Sequence, residues 1–95
     1  MLPQTPNNSP NDSEVLGLAA LASTLGDSRR AQRFLDLTGI GTDELRARAA
    51  EPSLLSALLR FLEAHEPDLV AVAEALGVKP ELLVQARREL ERGEP

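Results

Sequence analysis

Six short apolar runs, each bounded by glycine or proline and none much longer than about four helical turns, constrain this chain more than any other feature. Ser9-Pro10-Asn11-Asp12 sets an N-cap hydroxyl, a proline at the first helical position and an acid in the first turn. Val15, Leu18, Leu21, Ala22 and Leu25 then follow at helical spacing and predict one apolar face, ending at Gly26. A second helix starts after Asp27, carries Ala31, Phe34, Leu35 and Thr38 on one face, and closes at Gly39. Thr42 caps a short third helix with Asp43 and Glu44 in its first turn and Leu45 and Ala49 inward. Pro52 opens a fourth helix to about His65, Pro67 a fifth to Leu76, and Pro80 a sixth with Leu82, Leu83, Ala86 and Leu90 inward. No stretch alternates β-branched or aromatic residues between hairpin turns, so no strand is expected. The predicted fold is all-α, a compact bundle of five or six short helices.

With 95 residues there is material for one domain, assigned to 9–92. Residues 1–8 offer only Leu2 to a core and are expected to be a disordered tail, as are 93–95 at the other end. The first basic residue is Arg29, so the positive region of a signal peptide is missing. The longest uncharged apolar stretch, Val15 to Gly26, is well short of the ~20 residues a transmembrane helix needs. A cytoplasmic chain that does not enter a membrane is the expectation, and the absence of cysteine fits a reducing compartment.

Two helices are unusually apolar for a domain this small. Leu69 to Ala73 is uninterrupted, which predicts that the fifth helix is buried at the centre. The fourth is interrupted mainly by Ser56 and Arg60, and enclosing both helices is difficult. Its face around Leu55, Leu59 and Leu62 is therefore a candidate apolar interface for a partner or a second copy. The alternative is that helices one, two and six cover it.

The run Arg33-Phe34-Leu35-Asp36-Leu37-Thr38-Gly39, followed by Asp43-Glu44-Leu45-Arg46-Ala47-Arg48-Ala49, resembles a family of short alphaproteobacterial proteins known only as a domain of unknown function. The similarity extends over the leucine-rich segment Leu54 to Leu62 and the proline-opened segment Pro80 to Leu90, and spans about Ser9 to Leu90. Ser23-Thr24 departs from it, standing where the family tends to be apolar. The resemblance implies an all-helical cytoplasmic protein and brings no activity, ligand or catalytic residue.

Arg29, Arg30 and Arg33 cluster at the start of the second helix, where cations oppose the helix dipole. Together with Arg46 and Arg48 they are candidates for gripping a phosphate or a partner's carboxylate. The plainer reading is a solvated face with Asp27, Asp36, Asp43 or Glu44 as counter-charges. Leu69 to Arg88 has the texture of a helix-turn-helix, in which Lys79, Gln85 and Arg88 would face DNA. Against nucleic acid stand a net charge of −5 and, from Glu66 to Pro95, seven acids to four bases.

Chemistry finds little support. His65, the one histidine, has no second histidine or cysteine with which to hold a transition metal, and neither metal nor cofactor is expected. Pairing it with Ser53 or Ser56 lacks the Gly-x-Ser-x-Gly elbow of a hydrolase. Gly39-Ile40-Gly41 has no preceding strand to make a nucleotide site. What remains is a non-enzymatic accessory module that works through contact with a protein partner or by self-association, with a small DNA-binding regulator as the alternative.

Overall fold

The computed structural model describes residues 10–92, and the expected disordered termini at 1–8 and 93–95 fall outside them. Six helices follow one another: α1 Pro10–Leu25, α2 Ser28–Thr38, α3 Thr42–Arg48, α4 Pro52–Glu63, α5 Glu66–Leu76 and α6 Pro80–Arg92. The punctuation acts as the sequence predicts. Asp27 accepts a hydrogen bond from the Arg30 amide, and Gly39 and Gly77 end α2 and α5 in the left-handed region with φ of 71° and 72°. Pro52 and Pro67 each lie in the first turn of their helix. Among the described residues there is no strand.

The core is α4. Leu54, Leu55, Leu58, Leu59 and Leu62 are all buried, enclosed by α1, α5 and α6. This corrects the candidate interface at Leu55, Leu59 and Leu62, which are at most 1 % exposed. It also reverses the expected roles of α4 and α5. Leu69, Val72 and Ala73 of α5 pack inward, but Val70 and Ala71 are half-exposed beside Glu66, Pro67 and Glu74 on an open face. Burying α4 places five large leucines out of water, whereas most of the apolar run in α5 is valine and alanine, so enclosing α4 removes more apolar area.

α1 gives the second correction. Its packed stripe is Ser13, Gly17, Ala20, Leu21 and Thr24 at helical spacing, small or polar residues except for Leu21. A Cβ on Gly17 would lie 3.2 Å from the Leu55 Cβ, so its absence lets α1 settle closely against α4. The hydroxyl of buried Thr24 donates to the Ala20 carbonyl at 2.8 Å. Of the apolar face predicted for this helix, only Leu21 is buried; Val15, Leu18 and Leu25 are 67 %, 44 % and 40 % exposed. Leu82 of α6, expected inward, is 43 % exposed as well, while Leu83, Ala86 and Leu90 do pack inside.

Candidate functional site

Because α1 turns a stripe of mostly small residues inward, Val15, Leu18 and Leu25 face out. Val15 and Leu82 stand on the two sides of a cleft of about 460 Å³ between α1 and α6. Leu16, Ala19, Leu76 and Ala86 line its interior, and Asp12, Gln85 and Glu89 are its polar members. The small side chains Ala19 and Ala86 leave room between helices whose backbones approach closely elsewhere. Leu18, Ala22 and Leu25 continue the exposed apolar surface along α1 beyond the cleft. Leu37 on α2 is exposed too. The spacing of Val15, Leu18, Ala22 and Leu25 was visible in the sequence, but which side of α1 meets the core depends on Gly17.

The arginines of α2 have another partner. Asp68, in the first turn of α5 and 4 % exposed, receives the Arg30 Nε at 2.9 Å and a hydrogen bond from Arg33 Nη2. His65 Nδ1 lies 3.0 Å from the same carboxylate, and the Arg33 guanidinium sits over the Phe61 ring, 5.3 Å from its centroid. Burial pushes the Asp68 carboxyl up, yet hydrogen bonds from Arg30, Arg33 and His65 together hold it down at about 2. Two of the three clustered arginines thus share one buried carboxylate, Arg30 also lying 3.9 Å from the expected counter-charge Asp27, and Arg29 is left exposed. Arg46 pairs locally with Asp43 at 3.8 Å, and Arg48 with Glu44 and Glu51 at 3.2 and 2.9 Å. Neither joins Arg30 and Arg33 at Asp68. His65, to which the fourth helix was expected to run, lies two residues past the end of α4 at the N-terminal boundary of α5 and faces Asp68.

Lys79, Gln85 and Arg88 are all exposed, as a recognition helix would need. Yet Gln85 and Arg88 share a shallow depression with Arg92, Glu81 and Glu89, so its two arginines are matched by two acids and no net positive face meets a phosphate. On the neighbouring face of α6, Arg87 bonds Glu63 at 2.7 Å and Glu91 at 3.0 Å, and Glu91 also receives Arg60 and Ser56, each at 2.6 Å. Arg60 and Ser56, with Arg87 adding to them, hold Glu91 at about 2 against burial. This network ties α4 to α6. Among the described residues no group of three or more acidic or histidine side chains is placed to hold a metal ion, and no helix is long and apolar enough to cross a membrane.

These features define a small all-helical protein wrapped around one leucine-rich helix, with an apolar face turned outward. Residues 10–93 match the family described as Protein of unknown function (DUF3572), and the chain belongs to that family. The likeness carried by Arg33–Gly39 and Asp43–Ala49 is confirmed by that match. No curated protein and no solved structure matches the chain.

Proposed function

We propose that this chain is a non-catalytic interaction module that receives an apolar segment of another protein on the outward face of α1 and its cleft with α6. The observation that carries the reading is the inversion of α1, which keeps Val15, Leu18 and Leu25 in water while Ser13 and Gly17 occupy the core side. Exposed apolar side chains scattered singly are ordinary, but a run of them continuous with an apolar cleft is a mark of binding surfaces. A preformed, mostly apolar cleft with few polar groups at its edge is also the usual form of a binding site.

The test is position-specific photo-crosslinking of the full chain in lysate of its source cells. A photoreactive side chain at Leu18 or Leu82 is expected to capture a discrete protein. The same group at exposed Ala47 or Ser53 is expected not to. Equal capture at all four positions, or none at Leu18 and Leu82, overturns the reading.

A further inference from the structure

We infer that the segment received by this face is an amphipathic helix flanked by lysine or arginine, an inference that rests on the module reading above. Val15, Leu18, Ala22 and Leu25 recur at intervals of three, four and three residues, the a and d spacing of a coiled-coil seam. From Asp12 to Leu25, α1 offers about 20 Å of helix, room for roughly four turns of a second helix laid along it. Val15 places the cleft beside the first part of that seam, so a partner side chain standing off the seam enters between α1 and α6. A surface of this form takes side chains projected at helical intervals from one face of a helix.

Charge selects the flanks of that helix. Asp12 and Glu14 are the charged residues of α1, both at the N-terminal end of the seam, and the cleft adds Glu89 and no cation; Asp12 is already engaged within the protein, so Glu14 and Glu89 set the field a partner meets. Arg92 approaches Glu89 only at 3.8 Å, with the arginine largely in solvent. A second copy of this chain would bring the same acids and another −5 charge against them. Repulsion of like charges disfavours self-docking, and basic residues beside the partner's apolar stripe turn the same field into attraction.

The experiment uses the full chain and three synthetic helical peptides with one valine and leucine seam, flanked by lysine, glutamine or glutamate, followed by fluorescence anisotropy. The lysine-flanked peptide is expected to bind about tenfold more tightly than the glutamate-flanked one at low salt, with the gap closing as salt rises. Leu18→Asp is expected to abolish binding, and Glu14→Lys to shrink the preference for lysine. Sedimentation of the chain alone is expected to show a monomer. Equal affinities, a preference for glutamate, no binding by any peptide, or a dimer that Leu18→Asp dissociates would each overturn the inference. If crosslinks at Leu18 and Leu82 persist in those cases, the module reading stands and only the partner chemistry is wrong; if they too are absent, both fall.

Discussion

Asp68 is the residue at which charge and stability meet. A carboxylate buried to this extent is costly unless it is paired, and here two guanidiniums and an imidazole surround it. Its folded-state value of about 2 lies below the 3.8 of an ordinary aspartate. The carboxylate therefore contributes stability that is fully present above pH 3.8 and is lost as the pH falls through about 2. The contribution is about 2 kcal/mol. Asp68→Asn is expected to lower stability by about that amount at neutral pH, and to leave a flatter acid limb below pH 4 in urea melts. A variant with the same acid dependence as wild type would show that the pairing is inert. Thr24 makes the opposite case. Its hydroxyl bonds a carbonyl, Ala20, that already has a helical amide partner, so Thr24→Val removes a buried donor without orphaning an acceptor. Thermal melts are expected to place that variant within about 0.5 kcal/mol of wild type or above it.

Among the elements, α1 decides the most. Helix period alone marks Val15, Leu18, Ala22 and Leu25 as a stripe, and a stripe is normally read as the core side. The core instead takes the stripe containing Gly17, because an α4 lined with leucines fills the space and needs a close, flat neighbour. Gly17→Val is expected to destabilise by about 2 kcal/mol, since its new atoms meet Leu55 through a Cβ fixed to the α4 backbone. That corresponds to a melting temperature lower by roughly 8–16 °C; an unchanged midpoint would mean that α1 is not seated tightly. Leu18→Asp, on the other side of the same helix, is expected to change stability by no more than about 0.5 kcal/mol while abolishing crosslinking at Leu82. The helices themselves were legible in the sequence, because caps and glycine stops are local signals carried by Asp27, Gly39, Pro52 and Gly77. The candidate site was only half legible. Facing depends on which neighbour is larger, and the Asp68 partnership joins residues 38 and 35 positions away, beyond the reach of any helical period.

At the scale of the molecule, the helices are not held equally. α1, α4, α5 and α6 pack mutually, and the Arg60, Arg87, Glu63 and Glu91 network adds charge pairs between α4 and α6. The segment from α2 through α3 is attached at fewer places. It inserts Phe34, edge-on to Phe61 with ring centroids 5.3 Å apart, and Leu45, and it is bridged to α5 through Asp68. Much of the rest of its surface is exposed, and α3 is only seven residues long. Few buried apolar contacts and many solvated backbone groups mark a segment that opens below the global unfolding free energy. Amides of residues 28–48 are therefore expected to exchange with deuterium sooner than those of 54–62 at neutral pH. Asp68→Asn removes the bridge, so it is expected to speed exchange across 28–38 by roughly 30-fold, the equivalent of about 2 kcal/mol, with a smaller change in α4. If every helix instead exchanges together, and the variant accelerates all of them alike, the chain opens as one unit and Asp68 stabilises the whole bundle rather than the docking of α2.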